Sequence, residues 1–286
     1  GNLQLSTADE VIYHEQLVHP VMNLVPDHRR VLILGGGDGM ALREVLKYDD
    51  VEEVMLVDLD PAMTKLFSTH PDLRRLNGDA FKDARVVTMH SDAVEAGGQK
   101  SVWQETGRLD AEKNEEVERI ASVSIMNLDA DRFVEQVQGK WNVIVVDFPD
   151  PSSIEVVKLY SEQFYHKLQR ILAENGMIVV QSTSPYHAKE AYLCIGRTLE
   201  AAGYSTLRYH DNVPSFGDWG WHLAWKDALP DRVVETRLRD FSIDVECSYL
   251  TPEVFAAAQV FGKGTLQTTE TETNALMHPV LLDYYI

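Results

Sequence analysis

Four short β-rich apolar runs constrain the fold most: VLIL at 31–34, VMLV at 54–57, VIVV at 143–146 and MIVV at 177–180. They alternate with ALREVLKY, VVKLYSEQFYHKLQRILAEN and AKEAYLCIGRTLEAAG, whose apolar residues recur at helical spacing, with Gly176 and Gly203 following the last two as C-terminal stops. Continuous apolar strands separated by amphipathic helices predict an α/β protein with a doubly wound, mostly parallel sheet. Two further strands are expected in STLRYH from 205 and GWHLAWK from 220, joined by DNVPSFGDW. Residues 94–122 read as a charged insertion, a surface excursion rather than a site. After residue 226 the pattern is less regular, but FAAAQVF and VLLDYYI are too apolar to stay in solvent and should pack on the core.

Composition narrows the function classes. The 286 residues, 44% hydrophobic, suffice for a real core. No run approaches the ~18 apolar residues of a membrane span, and GNLQLSTADE lacks the basic and apolar regions of a signal peptide, so a soluble, cytoplasmic chain is expected. Cys194 and Cys247 make no disulfide framework, and no spacing suggests a metal site. A formal net charge of -19 argues against nucleic acid as a partner and suits a cationic ligand.

The first strand runs directly into Gly35, Gly36, Gly37, Asp38 and Gly39, and then into a helix. Consecutive glycines there allow a sharp turn and close approach of a ligand to backbone amides, as in nucleoside-cofactor sites. Asp58 ends the next strand about 20 residues on, the expected place for a carboxylate on ribose hydroxyls. Asp38 would repel the phosphates of a dinucleotide. It points instead to a cofactor of the S-adenosylmethionine kind, with a cationic arm. An acid after the third strand should lie near the adenine; RVVTMHSDA offers Asp92 and SIMNLDADRF offers Asp129. Asp92 has the better spacing, but Asp129 has a helix behind it leading to the next strand and is preferred.

WNVIVVDFPDP sets Asp147 and Asp150 at the carboxyl end of a buried strand, held by Pro149 and Pro151. Two carboxylates three residues apart can grip an ammonium group and accept its proton. The alternative is that Asp147 caps the next helix.

GGGDG with LREVLKY, LVDLD, VIVVD with a second DP, and DEVIYHEQLVHP before them resemble the polyamine aminopropyltransferases, the spermidine synthase family, over about residues 4 to 226. FPDP, QSTSPY, VPSFGDWG and the final ETNALMHPVLLDYYI resemble a bacterial branch in which this domain follows membrane spans. The resemblance implies a seven-stranded Rossmann-like sheet of the S-adenosylmethionine-dependent methyltransferase type. Residues 1–25 would be an N-terminal remnant lining the site, 26–226 the catalytic domain and 227–286 a C-terminal extension. It implies aminopropyl transfer from decarboxylated S-adenosylmethionine to a diamine such as putrescine, without a metal. Carried onto this chain, Asp58 would bind ribose, Asp129 with Ala130, or Asp92, the adenine, and Asp38 the amine of the aminopropyl arm. Asp147 would accept the proton, Asp150 anchor the diamine, and Tyr13 and His14 line the reaction centre. Gln4 and Gln181 match polar pocket positions. A homodimer, and a membrane domain in the natural protein, are further implied partners.

The chain departs from the family pattern where Phe148 and Pro149 replace small hydroxyl residues, and where Phe216 replaces a pocket tyrosine. Most of the family's N-terminal β domain is absent from these 286 residues. Two other readings stand beside aminopropyl transfer: an S-adenosylmethionine methyltransferase, which prefers a site for the methionine carboxylate where Asp38 stands, and a nonenzymatic polyamine or nucleoside sensor. The presence of both Asp147 and Tyr13 favours chemistry.

Overall fold

The computed structural model describes residues 5–83, 86–89 and 122–286. Among these, the four apolar runs form the middle of one sheet, as β1 (Arg30–Gly35), β2 (Glu53–Asp58), β5 (Trp141–Asp147) and β6 (Leu172–Gln181). With β3 (Val86–Met89), β4 (Ser122–Asn127), β7 (Ser205–Val213) and β8 (Gly217–Trp225), the order is β3-β4-β2-β1-β5-β6-β8-β7. The strands from β4 to β7 are the expected seven, and β3 adds a short parallel edge strand outside β4. Only the β6–β8 and β8–β7 pairings are antiparallel. From β1 the chain builds outward through β2 and then returns to β5 on the other side. The carboxyl ends of β1 and β5 therefore open the crevice of a topological switch point, and Gly35 lies directly opposite Asp147 there.

Alternation along the strands divides the core in two. Val31 and Ile33 pack with Leu17, Val18 and Val21 of α1 (Glu10–Leu24), while Leu32 and Leu34 face the layer of Phe164, Leu168 and Ile195. The remaining α-helices among the described residues are α2 (Met40–Val45), α3 (Pro61–Thr69), α4 (Pro71–Leu76), α5 (Ala130–Gln136), α6 (Ile154–Val157), α7 (Glu162–Ile171), α8 (Lys189–Ala201), α9 (Asp231–Arg239), α10 (Pro252–Ala258) and α11 (Val280–Tyr285).

Three sequence expectations change. The helix expected over 156–175 is interrupted, because Ser161 is extended and its hydroxyl accepts the Phe164 N–H, starting α7 afresh. Gly176 is not a helix stop. It lies within β6, where pairing jumps from Trp141–Leu172 to Val143–Met177, and a Cβ there would sit 2.8 Å from the Asn142 carbonyl. The loop DNVPSFGDW is mostly strand: Asp211 faces Trp219 and Val213 faces Gly217, which leaves Pro214, Ser215 and Phe216 as the turn. The insertion read at 94–122 lies outside the described residues, except that Ser122 opens β4.

The C-terminal segment packs as expected, with Phe255, Ala258, Val280 and Leu281 buried. Asn274 fastens it, donating its backbone N–H to Thr198 Oγ1 and its side-chain amide to the Val157 carbonyl, while its own carbonyl accepts the Glu162 N–H. No helix among the described residues is long and apolar enough to cross a membrane. α1 is buried although it carries Glu10, His14, Glu15 and His19. Each is paired, as burial of charge requires: Glu10 with Arg43, His14 with Glu10, Glu15 with the amides of Ser248, Tyr249 and Leu250, and His19 with Glu44.

Candidate active site

The glycine turn fits the protein's own atoms as tightly as it would a ligand. Gly35 has φ +87°, and a Cβ on it would lie 2.1 Å from the Asp147 carbonyl oxygen. A Cβ on Gly37 would lie 2.6 Å from Asp58 Cγ, and the Gly37 N–H donates to Asp58 Oδ2 at 2.9 Å. Gly36 sits between them, and Gly39 caps the start of α2. The first requirement for bareness is thus that two carboxylate-bearing strand ends close on the turn. Asp58 Oδ1 also accepts the Asp60 N–H at 2.8 Å. Burial raises the Asp58 carboxyl above its ordinary range, Asp38 and Asp60 adding to this against the two amides. Asp38 Oδ1 accepts the Met40 N–H at 2.9 Å, which leaves its second oxygen without a partner among the contacts of the turn.

Asp147, the last residue of β5, accepts the Tyr13 hydroxyl at 2.6 Å on Oδ1. Burial lifts its carboxyl to about 6; Asp38 and Asp58 push the same way, and His14 and Tyr13 oppose. Tyr13 is held protonated by burial and by the adjacent Asp147, so it is a hydrogen-bond donor throughout the neutral range. His14 Nδ1 contacts Glu10 at its carbonyl (2.8 Å) and Oε2 (3.0 Å). Burial pulls the imidazole down, but Glu10, Asp38 and Asp147 outweigh it, and His14 titrates above its usual value. Glu10 in turn accepts from Arg43 at 2.9 and 3.0 Å. Asp147 does not cap a helix, since the cap position of α6 is Ser153.

Asp150 accepts the Tyr285 hydroxyl on Oδ2 at 2.8 Å, while Oδ1 is buried without a hydrogen-bond partner. Burial raises its carboxyl, against the pull of the Tyr285, Thr183 and Gln181 side chains. Gln181 bonds within the protein: Nε2 donates to the Phe148 carbonyl and the Tyr160 hydroxyl at 2.6 and 2.7 Å, and Oε1 accepts the Thr183 N–H. Phe148 packs its ring against Tyr160 and Phe164 in the core. Phe216 stands edge-on to Tyr13 at 6.2 Å, beside Trp219, and Trp221 completes an aromatic wall around Tyr13.

The strand beside β2 is β4, pairing Asp58 with Asn127, so Asp129 and Ala130 follow the strand in the third position. Asp129 caps α5 through the Asp131 and Arg132 amides and pairs with Lys158 at 3.0 Å; these partners outweigh burial and hold its carboxyl low. Asp92 and Gln4 lie outside the described residues. Of possible metal ligands among the described residues, Glu15, His19 and Cys247 bring their ligand atoms within 4.8 Å of one another. Glu15 and His19 are already committed to the amide and Glu44 contacts above, and His19 also to Tyr48. Sequence reasoning missed Glu10, Arg43 and Tyr285. Arg43 was in view in LREVLKY but carried no signal of a partner 33 residues earlier.

The family model described as the spermine/spermidine synthase domain matches residues 10–99 and 113–235. Polyamine aminopropyltransferase 2 of Ralstonia nicotianae is 47% identical over 224 residues, covering 78% of this chain and 37% of that protein. Polyamine aminopropyltransferase 1 of Streptomyces coelicolor is 37% identical over 286 residues, covering 99% of this chain and 45% of that one. The chain thus spans less than half the length of either relative. A crystal structure of spermidine synthase in complex with the transition state analogue AdoDATO superposes with a TM-score of 0.68 at 25% identity, covering 90% of this chain and 76% of that one. With the family model matching residues 10–99 and 113–235, well over half of its length, the chain belongs to the spermine/spermidine synthase family.

Proposed function

We propose that this cleft transfers the aminopropyl group of decarboxylated S-adenosylmethionine to a diamine such as putrescine, releasing methylthioadenosine. The observation that carries the reading is Asp147, hydrogen-bonded to Tyr13, with its carboxyl lifted to about 6 beside the glycine turn. A diamine nitrogen attacks only when neutral, and a carboxylate of that acidity is ionised near pH 7 yet basic enough to take the proton. The nitrogen lone pair forms the new bond to the aminopropyl carbon attached to sulfur. That C–S bond breaks, its electrons neutralise the sulfonium, and the ammonium proton passes to Asp147. Tyr13 holds the accepting carboxylate in place, and alignment of nitrogen, carbon and sulfur supplies much of the remaining acceleration.

Asp58 takes the ribose hydroxyls in this scheme, using lone pairs not occupied by the Gly37 and Asp60 amides, and Asp129 with Ala130 takes the adenine side. Asp58→Ala should weaken methylthioadenosine binding by roughly 1.5 to 3 kcal/mol, the range for hydrogen bonds to a charged group. Calorimetry reads this directly; an unchanged dissociation constant would move the ribose site elsewhere.

Asp38 gives the reading its sharpest test, because a carboxylate there attracts the free ammonium of the decarboxylated donor and repels the carboxylate of S-adenosylmethionine. Methylthioadenosine release should be fast with the decarboxylated donor and a diamine and near background with S-adenosylmethionine, and Asp38→Asn should narrow that ratio. Equal affinity for the two donors in the unmodified protein would count against aminopropyl transfer and for methyl transfer. The membrane-joined natural form and its cytoplasmic placement belong to the same proposal, supported by the resemblance of the C-terminal sequence, while a homodimer rests on the family resemblance alone.

A further inference from the structure

Helix α11 brings Tyr285 onto Asp150, the second carboxylate of the turn after β5. Tyr285 donates its hydroxyl to Asp150 Oδ2 at 2.8 Å across 135 residues of sequence. Its placement is built. Leu281 and Val280 are buried beneath it, Asn274 ties the segment to Val157 and Thr198, and Val157 lies on the same connection after β5 that carries Asp150. The other oxygen, Oδ1, is buried and makes no hydrogen bond of normal geometry, although the Thr183 and Gln181 side chains beside the carboxylate favour its charged form. A carboxylate with one oxygen fixed and the other buried and unsatisfied is poised for one further donor, and a charged ammonium is the donor that most repays the desolvation.

We propose that Tyr285 is a positioning and specificity-determining residue for the amine acceptor: it locks Asp150 so that Oδ1 alone meets the distal ammonium of the diamine. This rests on the reading of Asp150 as diamine anchor. Tyr285→Phe keeps the ring and its packing but frees Oδ2, so the carboxylate can turn away and the diamine loses a fixed partner. Tyr284→Phe is the matched control: it removes a hydroxyl from the same helix, one bonded to Glu270 and Glu272 instead.

The experiment measures putrescine binding by calorimetry and methylthioadenosine release at saturating donor. Tyr285→Phe should weaken putrescine binding and raise its KM by about 5- to 20-fold, the loss of one charge-assisted hydrogen bond, with kcat within twofold of the parent. Tyr284→Phe should move neither. Unchanged putrescine binding in Tyr285→Phe, or equal losses in both variants, would overturn the proposal. A parent that binds putrescine but releases no methylthioadenosine would remove the proposed reaction, and the binding comparison would still decide the role of Tyr285.

Discussion

Asp147→Asn is expected to lower kcat by roughly 100- to 10,000-fold, the range for removal of a positioned general base, while methylthioadenosine binding stays almost intact. Asparagine is nearly isosteric and still accepts the Tyr13 hydrogen bond, but cannot take a proton near neutral pH. The same residue sets the acid side of the pH profile. With its carboxyl at about 6, Asp147 is largely ionised at pH 7.5, and activity should fall as pH drops through that value and the base becomes protonated. In the variant that limb should disappear, and raising the pH should partly restore the rate because more of the diamine then arrives neutral. Stability moves in the other direction. A carboxyl raised on folding favours the fold only while protonated, below the pH at which it ionises, so at pH 7.5 the native Asp147 is a burden. The variant should therefore melt at the same temperature or higher. Near-normal turnover in a folded Asp147→Asn protein would take Asp147 out of the mechanism.

That prediction was available from VIVVD and the aspartates around it, because strand ends at a switch point are legible in one dimension. The four apolar runs specify buried parallel strands, and a carboxylate at or just after the end of such a strand, as in three of the four, lies at the same edge whatever the loops do. Asp38, Asp58 and Asp147 could thus be assembled on paper. What stayed hidden depends on distance along the chain. Nothing local to Glu10 announces Arg43, and nothing local to Tyr285 announces Asp150. The expected helix over 156–175 failed for a local reason instead: its apolar spacing was sound, but a capping serine at 161 offered the backbone a new start and the sheet claimed Leu172 onward. Gln181 shows a third kind of gap. It sits where a substrate contact was expected, yet its polar atoms hold the turn between Asp147 and Asp150, a role that only packed coordinates can display.

The aromatic surroundings of Tyr13 explain why a carboxylate acidity near 6 can exist at the floor of a cleft rich in acids. Phe216, Trp219 and Trp221 exclude water from one side of the pair, so the charges of Asp38 and Asp58 act on Asp147 with little screening. The Arg43–Glu10–His14 chain supplies the balancing positive charge from the other side. Phe216 fits that arrangement, since a hydroxyl at its place would bring water toward the base.

Gly35→Ala should be the most damaging alanine substitution among the described glycines, for two separable reasons. A left-handed backbone costs a residue with a Cβ about 1 to 2 kcal/mol. The new methyl would also stand 2.1 Å from the Asp147 carbonyl oxygen, a backbone atom in register across the β1–β5 pairing that no rotamer change can move aside. Relieving that overlap means spreading two central strands, for which overpacking costs of about 1 to 3 kcal/mol are usual. Together these predict a loss of about 2 to 5 kcal/mol in urea unfolding, with activity falling further than stability because Asp147 moves with its strand. Gly78→Ala separates the two terms. Gly78 also has positive φ, at +61°, but the nearest atoms to a Cβ there are in the flexible Arg43 side chain at 3.6 Å, so it bears the backbone cost alone. Unfolding midpoints for the two variants, set beside methylthioadenosine release from each, should show Gly35→Ala as the more destabilised and the less active. Equal destabilisation with equal activity would mean that the sheet yields at Gly35 without disturbing Asp147, and that the turn is bare for the ligand alone.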